Sequence, residues 1–440
     1  MERAKLIVKN FGPLKDIEIE VREMVTFIGA QASGKSTLAK LLSIFEDENF
    51  RRDENITFEE ELKKYNIYSY LKQETYISYD NFESKDISLS SFVYENSEYL
   101  KFGSSNCLDL VKRDLNNYKK IDFLKDFINY DLDFIILRKI EFIKKFIRHF
   151  NLSEDKTNIF IDYFINIKKN KSKSDIDQIL EILEMEKKPE NYISIYEDLL
   201  NILPEVYAFD SLYIPTERNF LHLIAENTLG LINNNVQIPK HLLNSGQDYE
   251  KAIKSIKELP LGIIDKKIKY KREGKTSYIY HNQTEKVDLL ESASGLQTVV
   301  PILLLVEYAK SLKDEYNFNF VVEEPELNLY PKAQHELIKY LVKNCLLDRK
   351  NLILTTHSPF ILASLNNLLL AYDKGQSKPK EVNKIIKKES WLNPKNFIAY
   401  QLKNGKAYKI TDDKLGQIKE NMIDRISDEF SDEFSKLLNL

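Results

Sequence analysis

Hydrophobic and polar positions alternate at the start of the chain. Lys5–Lys9 and Ile17–Val21 read as strands, and Met24–Ile28 is a short apolar run of the buried-strand type. That run ends at Gly29. From Lys35 the period becomes helical, with Leu38, Leu41, Leu42 and Phe45 recurring on one face. Residues 46–110 are mixed, with strand-like segments at Tyr76–Tyr79 and Ser91–Tyr94. From about Asp109 to Leu203 the pattern turns helical, with apolar residues at Leu124, Phe127, Ile128, Ile135, Phe142 and Phe146. Ser174 with Asp177 has the spacing of a capping box opening a helix over Ile176–Met185, and the polar run Lys168–Ser174 predicts a turn before it. No sustained heptad runs through this region, which favours a compact helical lobe over a long coiled-coil arm.

Residues 204–440 return to strand and helix in alternation. Ser211–Ile214 is a candidate strand followed by Pro215 and a helix. Lys267–Arg272 and Ser277–His281 flank Glu273-Gly274-Lys275 as a hairpin. Three strand–loop–helix units follow, around Leu296–Lys310, Phe318–Val322 and Leu352–Leu354. The expected organisation is an α/β fold split by a helical insertion: a first α/β part over 1–110, the lobe over 111–204, a second α/β part over 205–372, and an extension over 373–440.

Gly29-Ala30-Gln31-Ala32-Ser33-Gly34-Lys35-Ser36 fits GxxxxGK[ST] and stands where that motif must, between a buried strand and a helix. Glycines let several backbone N–H groups converge on one anion, and the helix N-terminus adds partial positive charge. The candidate ATP ligands in this loop are Gly29, Gln31, Ser33, Gly34, Lys35, Ser36 and Thr37. Lys35 is placed for the β- and γ-phosphates, Ser36 for Mg²⁺ and Thr37 for an α-phosphate.

Phe318–Val322 ends at Glu323-Glu324. Adjacent carboxylates directly after a buried strand are costly unless a cation or proton balances them. Glu323 is therefore the expected metal-side acid and Glu324 the group that polarises the attacking water. Pro325, Glu326 and Asn328 continue the loop, Asn328 as a candidate contact across a dimer interface. Leu352-Ile353-Leu354-Thr355-Thr356-His357 repeats the pattern, and His357 at this third strand end can donate to a γ-phosphate. Ser292-Ala293-Ser294-Gly295-Leu296-Gln297 opens a further apolar helix. Ser294 and Gly295 make it a second phosphate-facing surface, one that lies outside the first loop. Two chains sandwiching ATP is the economical arrangement.

The balance of 64 Lys+Arg against 68 Asp+Glu, net −4, is no global signature of a nucleic-acid binder and leaves only a local basic patch open. Two cysteines, Cys107 and Cys345, form no disulfide framework and no zinc spacing. With no signal-peptide pattern and no long uncharged apolar run, a cytoplasmic protein without a membrane span is expected.

Together these motifs resemble the head of ABC-type ATPases, in its RecF/SMC/OLD-like branch. Asn10-Phe11-Gly12-Pro13, Glu323-Glu324-Pro325-Glu326 with Leu329-Tyr330-Pro331, and Tyr213-Ile214-Pro215-Thr216-Glu217-Arg218-Asn219 carry the likeness, which covers about 1–45 and 205–372. It implies ATP and Mg²⁺ as ligands, ATP hydrolysis, and a homodimer or higher homo-oligomer with Ser294 and Gly295 acting on the partner's nucleotide. Three departures stand out. Glu323 replaces the usual Asp, Leu296 replaces a second glycine and argues against a transporter subunit, and no Gln loop is evident, Gln73 being a candidate. Nothing after His357 resembles a Toprim nuclease, and Asp428–Phe434 reads as an amphipathic helix with solvated acids. The chain is thus similar to ATPase subunits of anti-phage systems such as PARIS and Septu, whose effector nuclease or toxin is a separate protein. The competing expectations are a DNA-clamping repair or chromosome-maintenance ATPase, and a nucleotide-locked scaffold. Arg218 is a candidate for coupling the nucleotide site to the inserted lobe, the plain alternative being an ion pair with Glu217 or Glu226.

Overall fold

A computed structural model describes residues 4–53, 55–80, 92–101, 146–166, 175–202, 208–225, 230, 236–312, 316–346 and 351–438. The strands are β1 (Ala4–Phe11), β2 (Leu14–Val21), β3 (Met24–Gly29), β4 (Tyr76–Asp80), β5 (Phe92–Glu95), β6 (Glu98–Lys101), β7 (Ala208–Ile214), β8 (Glu258–Pro260), β9 (Lys269–Glu273), β10 (Thr276–Tyr280), β11 (Lys286–Asp288), β12 (Tyr316–Glu323), β13 (Leu352–Thr356), β14 (Phe397–Lys403) and β15 (Lys406–Lys409). The principal helices are α1 (Lys35–Phe45), α2 (Glu48–Arg52), α3 (Phe58–Lys64), α4 (Glu154–Asn166), α5 (Asp175–Ile182), α6 (Pro189–Ile202), α7 (Lys240–Ser255), α8 (Ser294–Ser311), α9 (Pro331–Cys345), α10 (Pro359–Ser377), α11 (Pro379–Ile385) and α12 (Met422–Leu438).

Among the described residues one mixed sheet of eleven strands runs in the order β6-β5-β4-β1-β2-β15-β14-β3-β13-β12-β7. Its functional half is parallel: β14, β3, β13, β12 and β7 all run the same way. All six residues of β3 are buried, as an apolar strand covered on both faces requires. The two-residue period then sorts side chains between two cores. Met24, Ile28, Phe320, Val322, Leu352 and Leu354 pack with Val299, Leu337 and Leu365 of α8, α9 and α10. Val25, Phe27, Tyr213, Val321 and Ile353 pack with Leu38, Leu41 and Leu42 of α1 and with the ring cluster of Phe45, Phe50, Phe58 and Phe92. The expected mixed α/β sheet flanked by helices is what forms.

Several elements differ from the pattern-based expectation. The segment after Pro215 enters as a 3₁₀ turn over Thr216–Phe220 and continues as α-helix over 221–225. The helix opened by Ser292–Gln297, the signature helix, begins at Ser294, two residues before the unit expected around Leu296–Lys310. Residues 373–440 were expected to be an extension, yet β14 pairs over Phe397–Leu402 with β3 and β15 pairs with β14, so this part of the chain supplies central sheet strands. The missed signal was Phe397-Ile398-Ala399-Tyr400, an apolar run as strong as that of β3. Beside the main sheet, β8–β11 form a four-stranded antiparallel sheet that contains the expected hairpin. The helices α4, α5 and α6 occupy the described part of the insertion. Leu124–Phe142 and the capping Ser174 lie outside the described residues.

Candidate nucleotide site

Four adjacent parallel strands end side by side, and each carboxyl end carries one of the groups singled out in the sequence. The phosphate-binding loop follows β3, His357 follows β13, Glu323 and Glu324 end β12, and Arg218 follows β7. Ligands gather at such ends in open α/β sheets because loops and helix N-termini converge there.

Gly34 caps α1 with φ +100°, and a Cβ there would come within 2.5 Å of Leu14 Cδ2, so the turn into the helix demands glycine. No side chain caps this end, which leaves its first N–H groups for an anion. Lys35 is 5% exposed and its Nζ donates to the Gly29 and Ala30 carbonyls, each at 3.0 Å. Burial holds its pKa below the usual lysine range, against the pull of Glu324, Glu323 and Glu326. The Ser33 hydroxyl is buried without a partner. Gln31 is exposed, Ser36 half-buried and Thr37 buried.

Glu323 is 3% exposed, and burial pushes its carboxyl above the ordinary range although Lys40, Tyr213 and Ser36 oppose this. Tyr213 and Ser36 both lie close enough to the carboxylate to oppose that rise, while its Oε1 is buried with no partner. An orphaned carboxylate oxygen beside the P-loop serine fits a Mg²⁺ ion, which typically takes one or two carboxylates and completes its shell with phosphates and water. Among the described residues no cluster of three His, Cys, Asp or Glu forms a fuller metal cage.

Glu324 adopts φ +42°, a left-handed conformation that costs a non-glycine residue about 1–3 kcal/mol and persists only when neighbours over-determine it. Its N–H donates to the Thr355 carbonyl at 3.0 Å and also approaches Thr355 Oγ1 at 3.2 Å. Its Oε1 is 3.3 Å from His357 Nε2. Burial, together with the Lys35 charge, holds the His357 imidazole below its usual pKa. The backbone N–H of His357 donates to Glu326 Oε1 at 2.7 Å, and Thr356 Oγ1 donates to the same atom at 2.8 Å. Glu326, read from the sequence only as loop, is thus the carboxylate that fixes the His357 backbone.

Arg218 is fully buried and forms no ion pair with Glu217, while Glu226 lies outside the described residues. Instead it donates to four backbone carbonyls: Nε to Thr298 at 3.0 Å, Nη1 to Pro215 at 3.1 Å and to Glu323 at 2.8 Å, and Nη2 to Glu324 at 2.7 Å. Burial lowers its pKa to about 10, with Glu326, Glu324 and Glu323 opposing the drop.

Ser294 and Gly295 are held on the loop after β12. A Cβ at Gly295 would stand 2.6 Å from the Asn328 carbonyl, so the glycine is required within the chain, before any phosphate is considered. The Thr298 hydroxyl reaches the Ser294, Gly295 and Leu327 carbonyls at 3.1, 3.1 and 3.0 Å, one proton shared among three acceptors. Gln73 is exposed in the turn before β4.

Tyr213 and Thr298 were missed as site residues. Tyr213 could have been found as the residue one step before the end of a strand. Thr298 could have been found from its spacing of three and four from Gly295 and Ser294.

A family model described as "AAA ATPase domain" matches residues 1–362. No curated protein matches the chain. Similar solved structures include an Smc head bound to the C-winged helix domain of ScpA, with 8% identity, 94% of this chain and 99% of that chain covered, and a TM-score of 0.38. The SMC head domain from Thermotoga maritima gives 11% identity, 93% and 98% coverage and a TM-score of 0.32. The recombination mediator protein RecF–ATPrS of the RecFOR pathway gives 13% identity, 93% and 98% coverage and a TM-score of 0.30. Scores this low transfer no residue roles. The family match spans most of the chain, its P-loop and its acidic strand end: the chain belongs to the AAA ATPase domain family.

Proposed function

We propose that the chain binds ATP with Mg²⁺ at the ends of β3, β13 and β12 and hydrolyses it. The observation that carries this is the meeting of Glu324 and His357 at the ends of two paired strands, beside the strand whose loop carries Lys35. The loop N–H groups of Gly29, Gln31, Ser33 and Gly34, with Lys35 and Ser36, hold the phosphates. Thr37 stands at the α-phosphate end. Ser36 and Glu323 would hold Mg²⁺, which supplies charge neutralisation on the phosphate oxygens. Glu324 accepts the proton of the attacking water as its oxygen bonds the γ-phosphorus and the bond to the β-phosphate oxygen breaks. His357, kept neutral by its lowered pKa, donates one N–H toward the γ-phosphate.

Ser294 and Gly295 act on the nucleotide of a second copy, making the functional unit a homodimer or a larger homo-oligomer. In support, their contacts lie on the Asn328 loop, and none among the described residues is with the P-loop.

The nucleotide cycle is proposed to control a separate protein, the effector nuclease or toxin of an anti-phage system. The apolar stripe of α12 favours a protein partner: Ile426, Phe430, Phe434 and Leu437 are exposed at helical spacing, Phe430 at 64% and Phe434 at 63%. The DNA-clamping alternative draws less support. The lysines of the small sheet are already paired, Lys269 with Glu258, and Lys271 and Lys286 with Glu273. Among the described residues no helix is long and apolar enough to cross a membrane.

The test is phosphate release from ATP by purified wild-type protein with and without Mg²⁺. Mg²⁺-dependent release is expected, and its absence at saturating ATP would contradict the hydrolytic reading.

A further inference from the structure

Arg218 heads the fully buried side chains by volume, and it spends its donors on neutral carbonyls. A buried charge is weak evidence for stability, since a well-packed apolar residue often serves the core as well. What only a planar guanidinium offers is a rigid fork that can hold several acceptors in fixed geometry. Two of those acceptors belong to consecutive residues, Glu323 and Glu324, and Glu324 is the one in the left-handed conformation. Thr355 grips the N–H side of Glu324 while Arg218 grips its carbonyl side. The remaining arm, Nε, reaches Thr298 in the first turns of the signature helix α8. The Thr298 hydroxyl in turn ties that turn to Leu327, three residues past Glu324.

We propose that Arg218 is a positioning residue that locks the Glu324 carboxylate to the first turns of α8. A displacement of the signature helix then moves the base. This deepens the hydrolytic reading and rests on Glu324 being the general base. Signature engagement by a second copy would reach the acid pair through Thr298 and Arg218 inside one chain, in addition to any direct contact with phosphate.

Arg218→Lys keeps the charge but offers one nitrogen in place of the fork. A misplacement of about 1 Å can cost about 10²-fold in rate, so kcat should fall roughly 10- to 100-fold. ATP affinity should stay within about threefold, because the P-loop is untouched. Thr298→Val removes the hydroxyl without changing shape and leaves the backbone carbonyl for Arg218. It should lower kcat in the same direction, and the double variant should lose less than the product of the two. In a Glu324→Gln background Arg218→Lys should cost nothing further, because the group it positions is already gone. A purely structural arginine would instead multiply the losses.

Thermal melts accompany each measurement. If Arg218→Lys does not fold, Thr298→Val alone and combined with Glu324→Gln carries the test. Wild-type hydrolysis that collapses in Glu324→Gln but is unchanged in Arg218→Lys and Thr298→Val overturns this inference alone. Hydrolysis that persists in Glu324→Gln overturns the base assignment and this inference with it.

Discussion

His357 Nε2 and Glu324 Oε1 lie 3.3 Å apart, brought together by the pairing of β12 with β13 that sets Glu323 opposite Thr355. Neither residue is near the other in sequence. The parallel register alone delivers a carboxylate and an imidazole to one point, the pair proposed as acceptor for the water proton and donor for the phosphate.

His357→Ala therefore removes the donor and leaves Glu324 in place. Loss of one preorganised donor costs about 10²- to 10³-fold in kcat. ATP binding should be nearly unchanged, since Lys35 and the loop N–H groups remain. Single-turnover phosphate release alongside nucleotide titration checks both halves.

Lys35→Ala acts on binding instead. Its Nζ donates to the loop carbonyls of Gly29 and Ala30 and burial lowers its pKa, so the substitution removes a charge needed chiefly by phosphate. A charge-assisted hydrogen bond contributes about 1.5–3 kcal/mol, which corresponds to about 10- to 100-fold in ATP affinity. Calorimetry should show that loss, while the melting temperature of the nucleotide-free protein changes little.

The positions of these residues were largely legible in the sequence because strand ends and glycine turns have local signatures. The P-loop, the acid pair and His357 each follow a short apolar run. Arg218 was legible as a position but not in its partners, because backbone carbonyls, three of them 80 to 106 positions away, carry no side-chain signal. Gly295 was expected to make room for phosphate, and its first neighbour is the Asn328 carbonyl, a tertiary contact that no pattern announces. The strands β14 and β15 were passed over because they come after the last motif, although Phe397–Leu402 is buried almost throughout.

Away from the site, His222 links stability to acid. It is buried against Tyr249, with hydrogen-bond contact at 2.8 Å, and burial with Arg272 nearby lowers its pKa from 6.5 to about 3. The unfolded chain takes up this proton below pH 6.5. The folded chain resists it until about pH 3. Stability from this group is thus full above 6.5 and is lost as pH falls toward 3. His222→Gln keeps a partner for Tyr249 but cannot titrate. Its chemical-denaturation free energy should fall less steeply than wild type between pH 6.5 and 4, with the two slopes equal above 7.

The shared-site reading predicts complementation. Gly295→Asp chains should bind ATP through Lys35 and Ser36 but neither hydrolyse it nor associate with it, whereas Lys35→Ala chains keep an intact Ser294–Gly295 turn. Mixed, they leave one site whole and one broken twice, and partial hydrolysis should return. Full activity in Gly295→Asp alone would refute the sandwich. Because the new side chain also meets Asn328, a melt of Gly295→Asp must accompany the assay.

The central claim is that Glu324 is the base of an ATP-hydrolysing site, and the most direct measurement is ATP binding and phosphate release in Glu324→Gln beside wild type. The carboxamide preserves shape and backbone contacts while removing the proton acceptor. ATP affinity should match wild type, and release should slow by about 10²- to 10⁴-fold, the usual contribution of a general base. Wild-type release in Glu324→Gln, with release abolished in Glu323→Gln, would reverse the two roles and contradict the account.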